Sequence, residues 1–181
     1  MEKMSETTSK EFANALLDSQ LIFCEIGKEK GFLCNAANET LVQALQAVLR
    51  PKFTYVLVDS TSKLQAYVSA IPEIAYDLFD MAEEGILIVF KELTNMASTL
   101  LDNSESVAVG IPTDTFIQKI VQITRKPVAF FPLLENIAAR KEEIQQTFTC
   151  FDGILPLKQK INAPYGIIKL EKDGTFVLLR E

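Results

Sequence analysis

The feature that most restricts the fold of this chain is the alternation of short apolar, β-branched runs with longer stretches whose apolar residues recur at helical spacing. Leu21–Cys24, Gly31–Cys34, Tyr55–Val58, Ile86–Phe90, Val107–Ile111 and Val128–Phe131 each have the length and composition of a buried strand. Between them the pattern is helical. Phe12, Ala15 and Leu16 predict a first helix to Asp18. Asn38 caps a second, with Leu41, Val42, Leu45, Val48 and Leu49 on one face and Pro51 as its stop. Asp59-Ser60-Thr61 opens a short helix to Val68, and Pro72 starts another carrying Ile74, Ala75, Leu78, Phe79 and Ala82. A helical turn falls within Leu93–Leu101, Thr113-Asp114 caps a helix to Thr124, and Arg140–Phe148 is helical. Gly153–Leu155 reads as a short strand, and Gly166–Leu170 pairs with Phe176–Leu179 across the turn Lys172-Asp173-Gly174-Thr175. The expected fold is α/β: a single open, twisted mixed sheet flanked by helices and ending in a β-hairpin.

With 181 residues, 48% of them hydrophobic, the chain has the size of one domain and can bury a core without disulfides or a structural metal. Residues 1–10 read as a polar, frayed tail, and residues 11–181 as the domain. The segment Glu25-Ile26-Gly27-Lys28-Glu29-Lys30 reads as a charged loop between the first two strands.

Composition removes several chemistries. Histidine is absent, which excludes His-based acid/base catalysis, Ser-His and Cys-His dyads and the commonest metal ligand; no metal site is expected. The net charge of −6 gives no general attraction for polyanions, so nucleic acid is disfavoured, although a local basic patch remains open. The three cysteines, Cys24, Cys34 and Cys150, form no C-x-x-C pair and read as buried apolar residues in a reducing compartment. Cys24 and Cys34, on adjacent strands, are near enough in sequence to approach each other. Neither a secretory leader nor a membrane-spanning run is evident, so a soluble, cytoplasmic protein is expected.

Three segments carry a resemblance: VLVDSTSKLQAYVSAIPEIAYDLFD, SVAVGIPTDTFIQKIVQITRKPVA and YGIIKLEKDGTFVLLRE. In order and spacing they resemble the YrdC-type family of threonylcarbamoyl-adenylate synthases, and Gly31, Cys34, Ala36 and Asn38 extend the match upstream, where the family has G-x-x-C-D-A-x-N. The resemblance implies an open α/β sheet with a concave basic cavity for ATP, magnesium, bicarbonate and threonine. It also implies a product, threonylcarbamoyl-AMP, used in tRNA modification, and RNA binding by some members.

Residue by residue, the motifs depart from that pattern. The P-T-D-T-x-x-G loop falls on Glu25, Ile26, Gly27, Lys28, Glu29, Lys30 and Gly31, and only the last glycine remains. Arg50 and Lys52 are the nearest substitutes for the K-x-R pair. Gly110 replaces the arginine of R-I-P, and Leu87 replaces the threonine of P-L-T. The S-T-S-A-N run falls on Phe130, Phe131, Pro132, Leu133 and Leu134, and the S-T before the last hairpin falls on Tyr165 and Gly166. Arg180 is the matching cation near the end.

Each charge-assisted hydrogen bond is worth roughly 1.5–3 kcal/mol, against about −8 kcal/mol for a whole micromolar ligand. Four or five such losses abolish useful ATP affinity and the preorganised field of an adenylyl-transfer site. The expectation is therefore no catalytic residue, no ATP or magnesium cofactor, and a binding or interaction role toward a protein partner or apolar small ligand, with self-association open. An active nucleotide-dependent enzyme and an RNA-binding protein stand as alternatives. Phe130, Phe131 and Leu133 either line an apolar pocket, fill the old cavity or form an exposed patch; filling is preferred, because interiors are close-packed. Lys28, Lys30, Arg50, Lys52 and Arg180 line a residual anion site or are solvated charges, the latter being preferred. Arg140-Lys141 reads as a solvated helix face.

Overall fold

In the computed structural model, residues 2–51, 53–82, 85–91, 93–101, 106–152, 164–170 and 175–180 are described. Among these described residues, five α-helices cover Glu2–Leu17 (α1), Glu39–Leu49 (α2), Glu73–Met81 (α3), Thr115–Thr124 (α4) and Ile137–Thr147 (α5). The strands are Ile22–Ile26 (β1), Glu29–Asn35 (β2), Tyr55–Leu57 (β3), Ile86–Lys91 (β4), Ser106–Gly110 (β5), Val128–Pro132 (β6), Gly166–Leu170 (β7) and Phe176–Arg180 (β8). They form one mixed sheet in the order β1-β2-β6-β3-β5-β4-β7-β8. β3 runs parallel to β5 and β4 to β7, while the other neighbours are antiparallel. The two short helical segments anticipated in the connections are 3-10 turns, Thr61–Ala66 and Ser98–Leu100.

Alternation along the strands divides the core in two. Phe32, Cys34, Val56, Ile88, Val109 and Phe131 face α2, α3 and α5. Leu33, Tyr55, Leu57, Leu87, Ala108 and Phe130 face α1 and α4. Successive strand residues point to opposite faces, so strands this apolar fill both layers.

The helix starts obey local chemistry. Asn38 Oδ1 accepts from Leu41 N at 3.1 Å, and buried Asp114 accepts from Phe116 N at 2.9 Å and Ile117 N at 3.2 Å, satisfying amides that a helix leaves unpaired.

Several expectations are corrected. From Glu2 to Lys10 the polar segment is helical and not frayed: α1 begins at Glu2 and Ser9 is fully buried, because most of these residues tolerate a helix and the apolar stripe beyond docks it. The charged segment Glu25–Lys30 is mostly strand. β1 and β2 pair up to Ile26 and Glu29, leaving only Gly27 and Lys28 as the turn, both at positive φ, 52° and 67°, as a two-residue type I′ hairpin demands. α5 starts at Ile137, ahead of the expected Arg140. Cys24 and Cys34 lie on opposite faces of the sheet and do not approach; burial pushes both thiols up. Arg140 is no idle surface charge, since its guanidinium donates to Leu49 O at 3.1 Å and Val48 O at 3.4 Å, closing the C-terminal end of α2. Lys141 Nζ sits 4.2 Å from the centre of the Phe23 ring, a cation–π contact. The proposed strand Gly153–Leu155 and most of the turn Lys172–Thr175 lie outside the described residues. No described helix is long and apolar enough to cross a membrane.

Candidate functional site

The strand registers sort the motif positions into two groups at opposite ends of the sheet. At one end, Gly31 pairs with Pro132 and Leu133 N donates to Lys30 O at 2.7 Å. A Cβ on Gly31 would overlap the Phe131 carbonyl, so the β6 backbone lies directly against β2 and glycine is required there. Phe130 and Phe131 are fully buried on opposite faces, and Pro132 and Leu133 are buried beside them. The Phe130 ring packs 5.3 Å from that of Tyr55, and Phe131 enters the α2 layer with Phe32. Neighbours on one strand that point apart do not line one pocket. Leu134, 55% exposed, is the exception.

At the other end, Leu87 and Gly110 are cross-strand partners. A Cβ on Gly110 would lie 2.5 Å from Leu87 Cδ2 and 2.9 Å from Ile86 O, so the two departures from the family pattern form one packing unit in which Leu87 takes the room beside Gly110. Tyr165 is buried, with its ring across Gly85. Its hydroxyl accepts from Thr113 N at 3.0 Å and meets Thr113 Oγ1 at 3.1 Å; burial pushes the phenol pKa up, so it stays a neutral hydrogen-bonding group. Gly166 pairs with Ile86, and Arg180 with Ile167.

The candidate cations are not gathered into one site. Lys28 is on the exposed hairpin tip, with Lys30 beside it, and Arg50 is the exposed, left-handed C-cap of α2 before β3; these belong to the Gly31 end. Arg180 belongs to the Gly110 end, because it pairs with Ile167, which pairs with Leu87, the partner of Gly110. Lys52 is outside the described residues. Buried Phe130–Leu133 and the tight Gly27-Lys28 turn supply no hydroxyl, amide or carboxylate side chain at those positions, so they do not fit a nucleotide's phosphates or a magnesium ion.

Open space lies at the carboxyl ends of β3 and β5. A cleft of about 260 Å³ is lined by Ser60, Thr61, Asp80, Gly85, Pro112, Thr113 and Gln118 among others. Beside it lies one of about 670 Å³, lined by Asp59, Lys63, Tyr67, Gln122, Arg125 and Lys126 among others. Gln118 Nε2 donates to Asp59 O at 2.9 Å, tying α4 to the β3 exit. Sequence reading missed these residues, yet a signal was there: the polar residues directly after the apolar strand Tyr55–Val58 and the Arg125-Lys126 pair directly before Val128–Phe131.

Comparison with known proteins agrees with this architecture. Residues 31–181 match the family model Sua5_yciO_yrdC, described as telomere recombination. The chain belongs to the Sua5/YciO/YrdC family. Among solved structures it is similar to P. abyssi Sua5 complexed with L-threonine, at a TM-score of 0.78 and 19% identity over 97% of this chain, which spans 54% of that protein. E. coli YciO gives a TM-score of 0.74 at 14% identity, covering 97% of this chain and 89% of YciO. Full-length HypF in a phosphate- and nucleotide-bound form gives 0.69 at 14% identity, over 95% of this chain and 28% of HypF. At such identities these likenesses establish the Sua5/YciO/YrdC fold. No curated protein sequence matches the chain.

Proposed function

We propose that this family member is a binding or interaction module that does not form threonylcarbamoyl-AMP. The observation that carries the reading is the buried run Phe130–Leu133, which stands where the family's hydroxyl- and amide-bearing S-T-S-A-N motif falls and is locked by backbone contact at Gly31. Adenylyl transfer needs preorganised donors around the phosphates, and apolar side chains supply none. ATP and magnesium are accordingly not its cofactors, and its partner is a protein or a small ligand. Free thiols, two of them buried, favour a reducing cytoplasm as its compartment.

The test supplies the full chain with ATP, magnesium, threonine and bicarbonate and follows pyrophosphate release, with an active synthase as control. No release dependent on threonine and bicarbonate is expected. Such release at a rate near the control's overturns the reading and restores the enzyme alternative.

A further inference from the structure

At the carboxyl end of β3 the chain turns toward one face of the sheet, where Leu64 of the first 3-10 turn packs in the α2 layer. At the carboxyl end of neighbouring β5 it turns to the opposite face, into α4. In open α/β sheets a crevice opens where connections part in this way, and ligands favour it. The cleft of about 260 Å³ lies at this parting, between Ser60 and Thr61 on one side and Pro112 and Thr113 on the other. The larger cleft, about 670 Å³ and in the size range of small-molecule sites, lies next to it, between the β3 exit and residues 121–126, which lead from α4 into β6, the neighbour of β3 on the side away from β5.

Its lining is cationic in an acidic protein. Lys63, Arg125 and Lys126 converge on it against a single carboxylate, Asp59, although acidic residues outnumber basic ones by 24 to 18 in the chain. All three cations are exposed, and none is paired with a carboxylate among the described residues. Tyr67, partly buried, supplies an aromatic wall. Burial and the Asp59 carboxylate push its hydroxyl pKa up, which keeps it protonated as a donor.

We propose that this crevice binds a small phosphate-bearing anion, with Lys63, Arg125 and Lys126 contacting its oxygens and Tyr67 forming its wall. Clefts lined by one sign of charge concentrate ligands of the other. The site uses none of the altered motif positions from Glu25 to Lys30, Leu87, Gly110, Phe130 to Leu134, Tyr165 and Gly166, so it stands apart from the function proposed above.

The experiment titrates the full chain with inorganic pyrophosphate, by calorimetry and by amide shift mapping, at low and raised salt. Saturable binding that weakens with salt and shifts residues 59–67 and 121–126 is expected. Lys63→Glu and Lys126→Glu should each weaken it roughly tenfold or more. Lys91→Glu, at the far end of β4, should leave it unchanged. Absence of saturable binding, binding undiminished in both crevice variants, or equal affinity for citrate overturns the proposal. So does tighter binding of a 5′-phosphorylated RNA over a longer basic track. ATP heat that vanishes in Lys63→Glu belongs to the crevice, whereas threonine-dependent heat that survives it contradicts the closed motif strand instead.

Discussion

The two ends of the sheet are built on opposite plans. At the Gly31 end, β1 and β2 close in a two-residue turn, Pro132 lies against Gly31, and Phe130, Phe131 and Leu133 disappear into the layers on either side. At the Gly110 end, the chain leaves β3 and β5 toward different faces; one cleft opens between the departing segments, and a larger one opens beside it, between the β3 exit and the end of α4 with its loop into β6. The same sheet thus has one end where side-chain volume replaces the family's polar motif and another where topology leaves space. In this chain the second feature comes from the path of the connections, whereas the first depends on the side chains present.

The largest blow to the closed end is Phe130→Ala. It should cost about 3–5 kcal/mol in urea denaturation, since it empties a site packed against Tyr55. A loss below about 1 kcal/mol, typical of surface positions, would mean that Phe130 is not filling the layer. Gly31→Ala should cost about 1–3 kcal/mol or more, as its Cβ meets backbone that cannot rotate away.

At the opposite end the Leu87–Gly110 unit is tested by a double-mutant cycle. Gly110→Ala alone is destabilising, and placed in Leu87→Ala it should be less so, with a coupling of about 0.5–3 kcal/mol. Strict additivity would break the argument that the two altered positions share one volume. Asp114→Ala should cost about 1 kcal/mol by removing the cap that starts α4 beside the open end.

The smallest effect expected is one of pH. Glu39 accepts from Ser98 N at 2.9 Å and from Ser98 Oγ at 2.8 Å, and these bonds hold its carboxyl below the ordinary range. A depressed carboxylate stabilises above its unfolded pKa, and the benefit is lost as pH falls through the folded value. The Tm gap between the native chain and Glu39→Gln should therefore be small near neutrality and narrow further in acid. A gap that widens in acid would contradict the sign.

Class, strand order of appearance and both side-chain helix caps were legible because they rest on local patterns: β-branched runs, Asn38 before Leu41, Asp114 before Phe116. The closing hairpin was legible on the same grounds. Register was not. That Gly27 and Lys28 alone make the first turn depends on β1 and β2 pairing to the end, and a run of alternating charges conceals strand alternation. The separation of Arg180 from Lys28, Lys30 and Arg50 follows from β7 and β8 attaching to β4, a long-range choice that no short segment encodes. Arg140 was misjudged for a similar reason, since the carbonyls it reaches belong to a helix distant in sequence. The Phe130–Leu133 run was ambiguous between pocket and filler until both faces of β6 were seen covered.

The central claim, that the motif-bearing end is closed, is tested most directly by native-state amide exchange. Amides of Phe130, Phe131 and Leu133 should exchange only through global unfolding, whereas those of Ser60 and Thr61 at the smaller cleft exchange through local opening at far lower free energy. Rapid exchange at Phe130, Phe131 and Leu133, matching that of Ser60 and Thr61, would mean that the strand opens like a binding loop and would contradict the account.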